Sequence, residues 1–524
     1  MKFIHIPTLI ILVGCIFSIS EKYLEIADTI RIYWTSICIF LVLIVCGLCM
    51  CYYGKNIFSQ KKILNTVCLV GFIEIIYSIL QLFGIVPDNY RYAFFSGSLN
   101  NPAIFGMFMS CCDLICVYYF IKTTEKEKKI WGYLTVLFAV FVLLSNSRTA
   151  IISSFLGTFF ILSIELVQIK TFFRKKKYIY LSIVVIVIAF LFLYLYKRDS
   201  ANGRIMIWMV CLDMIKERPF FGWGVNGMSS HYMDFQADYL SSHPNSPFEM
   251  LADETTNPFN EILRLSILFG VPAALLFCGI VMWTIAYVSK NIRENRSLIL
   301  GFITLFIIWC MFSYPLKEPF VWLLLLFLFL SIFQNQTFHH TTKIVIPLIV
   351  ICGACLYGLV YAAFYDFKRI SLQERANAEF NEQIQKEYDE LYKELSNDAS
   401  FLYNYGAMLH LYGEYERSLD VFKDCSKYLS DYNMTLLMGD DYQQIGILDS
   451  AITCYNRAYQ MIPNRYLPLY YQMKLYEDYS MTDNAKVIAR KILSKENKFK
   501  KTKKNQLIIY EAKNCLNCKN TYKQ

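Results

Sequence analysis

Long runs of apolar residues alternate with short polar segments through the first 364 residues and then stop. A bilayer core takes about 20 apolar residues of helix, and many of these runs approach or exceed that length. The pattern predicts an all-α protein whose first domain, residues 1–364, is a polytopic bundle of about 11 membrane-spanning helices. The predicted spans lie near 4–20, 33–53, 63–86, 103–121, 131–146, 149–168, 178–196, 262–288, 298–313, 319–334 and 344–364.

Lysine and arginine are distributed unequally between alternate loops. If the amino terminus is cytoplasmic, seventeen fall on the inner side and five in the opposite short loops. Positive charge is retained on the cytoplasmic side, so this orientation is favoured. It predicts that the long loop 197–261, after seven spans, and the carboxy-terminal tail both face outward.

Composition agrees with a membrane protein. Hydrophobic residues make up 56% of the 524 residues and charged residues only 18%, against roughly 25% in soluble domains. The net charge of +9 could indicate a nucleic-acid partner, but most of the excess lies in the short loops, where membrane topology explains it. No nucleic-acid partner is expected.

The polar tail repeats at a fixed offset. Gly406 and Gly439 are 33 residues apart, and so are Gly413 and Gly446. This period and the small residues where helices meet resemble tetratricopeptide repeats. We predict a helical connector at 365–395, a repeat solenoid at 396–493 and a basic polar tail at 494–524. The solenoid could bind a protein partner or pack against its own membrane domain, and the sequence favours neither.

Three carboxylates fall in or near apolar runs, where charge is costly. Glu74 is mid-span and shares a helix face with Gln81, which predicts an interhelical hydrogen-bonded pair. Asp113 is expected to be satisfied by a neighbouring helix, and Glu165 to extend toward the inner interface.

The predicted outer rim carries the candidate chemistry. Arg148 lies where two spans meet and is either a snorkelling anchor or a clamp for an anionic headgroup. Arg204 shares a helix face with Trp208 four residues later. Gly222 and Gly224 form a turn that could approach a ligand closely. Guanidinium groups match phosphate oxygens, so Arg148, Arg204 and Arg264 are candidate ligands for a lipid diphosphate that carries a sugar. Alternatively, Arg264 neutralises Glu261 three residues earlier.

Six motifs follow one another on this outer side. They are Gly-Ser-Leu-Asn-Asn-Pro (97–102), Ser-Arg-Thr-Ala (147–150), Gly-Arg-x-x-x-Trp (203–208), Arg-Pro-Phe-Phe-Gly-Trp-Gly (218–224), Phe-Asn-Glu-Ile-Leu (259–263) with Phe-Gly (269–270), and Ser-Tyr-Pro (313–315). In this order they resemble the O-antigen ligase and polymerase superfamily, which includes protein oligosaccharyltransferases; some members have a tetratricopeptide tail.

The resemblance implies a GT-C-like glycosyltransferase of the bacterial inner membrane, with its outer loop and repeats in the periplasm. Such an enzyme moves a glycan from undecaprenyl diphosphate to an acceptor hydroxyl without a metal, nucleotide or other cofactor. The acceptor most expected is the lipid A core, as in O-antigen ligation. Polysaccharide polymerisation and protein O-glycosylation are the alternatives within the family. A lipid-linked sugar transporter or a non-catalytic membrane scaffold are alternatives from other classes.

Carried over by motif, Arg148 and Arg204 would stabilise the leaving diphosphate. The histidine that the family often has before the Asn-x-x-Leu helix is absent here. Glu261 is therefore the preferred general base. The other candidate bases are Asp253, Glu254, His231 and His243.

The remaining candidates would bind substrate. Asn101 lies in the turn before a span, and Asn260 is either a positioning hydrogen-bonder or a helix cap. The expected substrate-binding set is Asn101, Trp208, Gly222, Gly224, Asn260 and Arg264.

Overall fold

A computed structural model describes residues 5–17, 24–53, 59–86, 95–166, 195, 198–332, 342–495 and 502–517. In these residues all regular structure is helical, which confirms the predicted all-α class. They form two compact units: residues 1–193, 259–262 and 276–367 contribute to the first, and residues 194–258, 263–275 and 368–524 to the second.

The first half of the described chain forms eight α-helices. They are α1 (Ile6–Ile16), α2 (Leu24–Tyr53), α3 (Gln60–Leu82), α4 (Pro102–Lys122), α5 (Glu125–Leu144), α6 (Arg148–Glu165), α7 (Arg198–Glu217) and α8 (Gly227–Ser242). A short 3-10 helix, Glu249–Leu251, follows α8.

A second series contains α9 (Glu261–Phe269), α10 (Val271–Asn291), α11 (Arg296–Phe312), the 3-10 turn Pro315–Lys317, α12 (Pro319–Ile332) and α13 (Thr342–Ala378). The tail then folds into α14 (Glu382–Leu395), α15 (Ala399–Leu411), α16 (Tyr415–Cys425), α17 (Tyr432–Gln444), α18 (Leu448–Met461), α19 (Leu467–Asp478), α20 (Thr482–Ser494) and α21 (Lys503–Asn517).

Six of the described helices are long and apolar enough to cross a membrane: α2, α3, α4, α6, α10 and α13. Three more predicted spans coincide with the shorter apolar helices α1, α11 and α12. The span predicted at 131–146 falls in α5, whose first turns are charged, and the one at 178–196 lies outside the described residues. The chain is therefore a multi-pass membrane protein.

Two predicted boundaries differ from the observed helices. The span predicted at 262–288 is broken at Gly270, whose φ of 88° ends α9 before α10 begins. At the other end, α13 runs through residue 364 into the predicted connector without a break. The domain limits at 364, 395 and 493 stay predictions.

Helix α4 is the centre of the first unit. It is apolar all round, which is the pattern of a helix buried on every side, and Phe105, Phe108 and Leu114 are fully buried. It packs against α5, α6 and α11. Asp113 on α4 accepts a hydrogen bond at Oδ2 from Ser154 Oγ on α6 at 2.5 Å, so a neighbouring helix binds it as predicted, but its Oδ1 is buried without a hydrogen-bond partner among the described residues. Glu165 was predicted only to extend toward the inner interface, but its carboxylate is also bonded to residues of two other helices.

The carboxylate of Glu165 is paired on both of its oxygens. It lies 2.6 Å from Lys122 Nζ and accepts a hydrogen bond from Ser297 Oγ at 2.5 Å. These contacts join the ends of α4, α6 and α11, so the charge is satisfied by helix packing.

The tail forms helix pairs at the predicted period. A Cβ at Gly406 would lie 2.6 Å from the ring of Phe422, and one at Gly439 would lie 2.6 Å from the ring of Tyr455. The pairs α15–α16 and α17–α18 therefore approach closely at equivalent glycines. Gly413 and Gly446, with φ of 79° and 85°, make the turns inside each pair, as glycine does at helix ends.

The segment predicted as a basic polar tail, 494–524, contains the packed helix α21. Ile508, Ala512 and Cys515 lie on one face of α21 and join the core of the last repeat. Their spacing of four and three residues is an apolar helical stripe. Because many lysines surround this stripe, the average composition of residues 494–524 is basic and polar.

Candidate functional site

The turn at residues 97–100 is held by three polar side chains of the first unit. Glu74 accepts hydrogen bonds from the backbone N–H of Ser98, at 3.1 Å, and from the Ser98 hydroxyl. Gln81 Nε2 donates to the carbonyl of Gly97 at 3.0 Å. The Arg31 guanidinium donates to the carbonyl of Ser98. The predicted hydrogen bonding of Glu74 and Gln81 to another helix is therefore corrected, because both side chains bond to this turn.

Asn101 ends that turn and begins α4. Its Oδ1 accepts from the N–H of Ala103 at 2.9 Å, which caps the helix, and its Nδ2 donates to the hydroxyl of Tyr314 at 3.2 Å. Both ends of the amide are thus used inside the protein. Asn101 orients Tyr314, and its nomination as a substrate ligand stays a prediction.

Asn260 shares this dual use. Its Oδ1 accepts from the N–H of Ile262 at 3.0 Å, so the helix-cap alternative agrees with the structure. Its Nδ2 donates to the carbonyl of Met311 at 3.3 Å. The residue therefore connects the start of α9 with the end of α11.

Glu261 is the first residue of α9 and is fully buried. Its Oε1 accepts the N–H of Leu316 at 2.9 Å. A carboxylate at a helix start is favoured by the helix dipole, and the bond to Leu316 fixes its orientation. The preferred base is thus a buried, oriented carboxylate next to the 3-10 turn 315–317.

Several of these contacts converge on residues 311–316. Besides the bonds from Asn101, Asn260 and Glu261, the ring of Phe259 lies 5.7 Å from that of Tyr314. Thr149 Oγ1, next to Arg148, is 3.5 Å from the carbonyl of Phe312. The structure brings Asn101, Asn260 and Glu261 together around this segment.

Tyr314 is the residue that the sequence-based site omitted. In the sequence it belongs to the Ser-Tyr-Pro motif at 313–315, but that motif does not show which groups the Tyr314 hydroxyl contacts. Only the fold brings residue 101 to residue 314.

Arg148 is the first residue of α6 and is half-buried. Ser147 precedes it as the helix cap and accepts from the N–H of Ala150 at 3.3 Å. The arginine is therefore held at a rigid helix start.

The other predicted residues belong to the second unit. Arg204 and Trp208 are one turn apart on α7 and both half-buried. Trp208 Nε1 donates to the carbonyl of Pro258 at 2.8 Å, which connects α7 to the segment before α9. Arg264 is half-buried on α9.

The glycines of the Arg-Pro-Phe-Phe-Gly-Trp-Gly motif pack against the end of α9. The N–H groups of Trp223 and Gly224 donate to the carbonyls of Ile267 and Leu268 at 2.7 and 3.0 Å. A Cβ at Gly222 would lie 2.5 Å from the carbonyl oxygen of Ile267, whereas one at Gly224 would meet nothing within 4 Å. Gly222 therefore permits a close backbone contact within the protein, and Gly224 faces open space.

Trp223 is the centre of an aromatic cluster in this unit. The Arg218 guanidinium lies 4.1 Å from the centre of its ring, and the ring of His231 lies 4.4 Å away. Burial, with the charge of Arg218, lowers the pKa of His231. The lowered pKa favours the neutral form of His231, whose ring packs at a tilt against Trp223.

The other candidate bases have partners too. Arg465 pairs with Asp253 and with Glu254, both at 2.7 Å. His243 Nδ1 lies 2.9 Å from the carbonyl of Tyr239, and the two rings stack at 4.5 Å.

The repeats bind the loop that contains α7 and α8. Arg457 on α18 pairs with Asp234 at 2.7 Å and with Asp238 at 2.6 Å, both on α8. Gln236, also on α8, donates to the carbonyl of Met461 at 2.8 Å. Asn464 Nδ2 donates to the carbonyl of Ala252 at 2.7 Å. One surface of the array is therefore occupied by this chain's own loop.

Among the residues that the structure describes, no group of three His, Cys, Asp or Glu side chains is placed to hold a metal ion.

Residues 133–278 match the family described as O-Antigen ligase. The matched segment is a little over a quarter of the chain's length. The match contains eight of the nine predicted site residues and excludes Asn101. No curated protein matches the chain. A solved structure titled "Crystal structure of APC/C hetero-tetramer Cut9-Hcn1" aligns over 93% of this chain and 85% of that chain, at 11% identity and a TM-score of 0.25.

Proposed function

We propose that this protein is a glycan transferase at the periplasmic face of the bacterial inner membrane. It moves a glycan from an undecaprenyl-diphosphate carrier to an acceptor hydroxyl, that of a lipid A core. The observation that carries the proposal is the O-antigen ligase match at 133–278, which includes the arginines and the carboxylate that such a reaction needs.

In the proposed reaction the acceptor oxygen attacks the anomeric carbon of the glycan. The bond from that carbon to the diphosphate breaks, and the diphosphate leaves with the electron pair. Arg148 and Arg204 neutralise the charge that develops on it, because guanidinium groups bind phosphate oxygens in pairs. The hydroxyl proton passes to a general base.

Glu261 is the base that the surroundings support best. Its carboxylate is buried and oriented by Leu316, whereas Asp253 and Glu254 are held in ion pairs by Arg465. Removing a general base typically reduces a rate by 10²–10⁴-fold.

The test is a comparison of Glu261→Gln with Asp253→Asn and Glu254→Gln. The amide of Glu261→Gln keeps an oxygen that can accept from Leu316, so the fold is retained while the base is lost. We expect glycan attachment, scored on a gel of surface polysaccharide, to fall at least about 100-fold in Glu261→Gln and to persist in the two controls.

Arg204→Ala tests the leaving-group role in the same assay. Unchanged attachment in Arg204→Ala would remove the diphosphate contact from the proposal. If Glu261→Gln keeps full activity while Glu261→Ala loses it, the carboxylate only holds the 3-10 turn and is not the base. The lipid-linked intermediate that accumulates in cells with an inactive variant distinguishes the two reactions. Accumulation of undecaprenyl-linked polymer would indicate that the protein ligates the finished glycan, and accumulation of single undecaprenyl-linked repeat units would indicate that it polymerises them.

A further inference from the structure

A cavity of about 390 Å³ lies within the first unit. This volume is in the range of about 300–1,000 Å³ that is usual for ligand sites. The polar part of its lining includes Asp28, Arg31, Asn100, Lys317 and Glu318. Its apolar part includes Ile32, Leu99, Ile104 and Phe320.

The polar wall is built by fixed elements of the fold. The turn that presents Asn100 is held by Glu74 and Gln81 from α3. Lys317 and Glu318 lie at the 3-10 turn that Glu261 binds through Leu316. A site with such supported walls is preorganised, which is what binding requires.

Arg31 has an unused hydrogen-bond donor in this wall. The residue is only 4% exposed, and its terminal nitrogens bond to Asp28, at 3.2 Å, and to the carbonyl of Ser98. Its Nε has no hydrogen-bond partner among the described residues. This Nε is covered by protein atoms, but arginine has five N–H donors, and Asp28 and Ser98 account for only two of them. The guanidinium that lines the cavity therefore keeps donors for an acceptor that enters from outside the protein.

The balance of charge and hydrogen-bonding groups indicates the ligand class. Asp28 neutralises Arg31, and Lys317 and Glu318 are adjacent in the chain. Burial, with the charge of Asp28, raises the pKa of Glu318 to about 8, so at neutral pH its carboxyl carries a proton and can donate as well as accept. The carboxylate of Asp28 is unfavourable for a phosphate, and the positive charge of Lys317 is exposed to solvent rather than buried in the wall. Neighbouring donors and acceptors suit hydroxyl groups, each of which does both.

We propose that this cavity binds the neutral saccharide headgroup of a membrane amphiphile, with Arg31 and Asn100 as its hydrogen-bonding residues. The apolar residues would contact the ring faces and the first carbons of the lipid. If the proposed function holds, this saccharide belongs to the acceptor, and the donor diphosphate binds elsewhere, at the arginines named above. The identification as acceptor rests on that function, but binding can be tested without any transfer.

The probe is an alkyl β-D-glucoside with a photoactivatable diazirine in its chain, added to the full-length protein in phosphatidylcholine nanodiscs. Peptide mass spectrometry would locate the label. We expect labelling of peptides that contain 28–32, 99–104 or 317–320, competed by octyl β-D-glucoside but not by octyl phosphate. Labelling should fall about tenfold in Arg31→Gln, because a charged hydrogen-bond donor is lost.

Asn100→Gly covers the case in which Arg31→Gln fails to fold. Asn100 has a φ of 53°, which glycine adopts freely, so this change removes the amide and keeps the turn. Asn295→Gly is the matched control, since Asn295 is also half-buried with a φ of 58° but does not line the cavity. We expect reduced labelling in Asn100→Gly and unchanged labelling in Asn295→Gly.

Three results would overturn the proposal: competition by octyl phosphate as strong as by the glucoside, label outside the cavity peptides, or equal labelling in Asn100→Gly and wild type. Any of these, obtained while Glu261→Gln still abolishes glycan attachment, would reject the saccharide site and leave the transferase proposal intact. Saturable labelling of the cavity peptides together with an active Glu261→Gln protein would support the saccharide site and reject Glu261 as the general base of the proposed transferase.

Discussion

At the scale of single residues, the polar side chains nearest the candidate site are fixed by bonds inside the protein. Asn260 caps a helix and binds the carbonyl of Met311, and Trp208 binds the carbonyl of Pro258. Such bonds restrict rotamers, and a site works only when its groups are held in position. A variant at either position therefore changes local structure as well as any contact with substrate.

Gly270 is the residue whose replacement should destabilise the fold most clearly. It has a φ of 88°, and an added Cβ would lie 2.1 Å from the carbonyl oxygen of Phe220. A left-handed backbone costs an ordinary residue roughly 1–2 kcal/mol, and the clash with backbone adds to it. We expect Gly270→Ala to lower the free energy of unfolding by about 2–4 kcal/mol, measured by thermal unfolding in detergent.

Two other glycines serve as controls for that measurement. Gly224 has a φ of 84° but open space around its Cα, so Gly224→Ala should cost only the backbone part, about 1–2 kcal/mol. Gly279 is inside α10 with nothing within 4 Å, so Gly279→Ala should not destabilise. Equal losses at Gly270 and Gly224 would contradict the proposed clash.

His410 gives the repeats a pH dependence of known sign. Its Nδ1 lies 2.6 Å from Oδ1 of Asp441, which is buried, and this bond raises the pKa of His410. The stabilisation is therefore complete below about pH 6.5, the usual value, and is lost as the pH rises through the raised pKa.

The measurement is the difference in Tm between wild type and His410→Gln at pH 6 and pH 8.5. We expect a larger difference at pH 6, because only the charged imidazole gains from the carboxylate. His243→Gln, on the exposed end of α8, is the control. A difference that grows with pH would contradict the assigned pair.

At the scale of elements, the repeat array supports the loop that contains α7 and α8. Arg457 and Arg465 make ion pairs with that loop from two neighbouring places in the array. Isolated surface pairs contribute little, but here buried amides of Gln236 and Asn464 add hydrogen bonds. The array thus holds α8 in place, and through the loop it orders the segment that carries Arg204.

Arg457→Ala should loosen α8 without unfolding the array. Arg457 bonds to Asp234 through two nitrogens and to Asp238 through one. We expect faster hydrogen exchange in residues 227–242 and little change in α15 and α16. Arg490→Ala, an exposed arginine on α20, is the matched control, and equal exchange in both variants would show that α8 does not depend on Arg457.

At the scale of the whole molecule, the remaining prediction is the membrane orientation. Lysine and arginine favour a periplasmic position for loop 197–261 and for the tail. Alkaline phosphatase, which is active only outside the cytoplasm, should be active when fused after Asn245 or after the last residue and inactive when fused after Arg293. Activity only in the Arg293 fusion would invert the orientation.

Periodicity made the repeats predictable, because each repeat is specified by neighbours in sequence. Gly406 and Gly439 occupy equivalent positions 33 residues apart and meet Phe422 and Tyr455 in the same way. The packed stripe of α21 was missed because its three apolar residues are surrounded by lysine and asparagine. Composition is an average over the whole segment, whereas burial depends on the residues of one helix face.

By itself the sequence determined the all-helical class, most of the membrane-spanning helices and the repeat period, since these depend on residues close together in the chain. Tertiary structure alone decided which distant groups meet. Glu261 binds Leu316, Asn101 binds Tyr314, and Glu74 binds the turn at Ser98. Each pair is separated by tens to hundreds of residues, and a hydrogen bond forms only where the packing of whole helices brings donor and acceptor within about 3 Å.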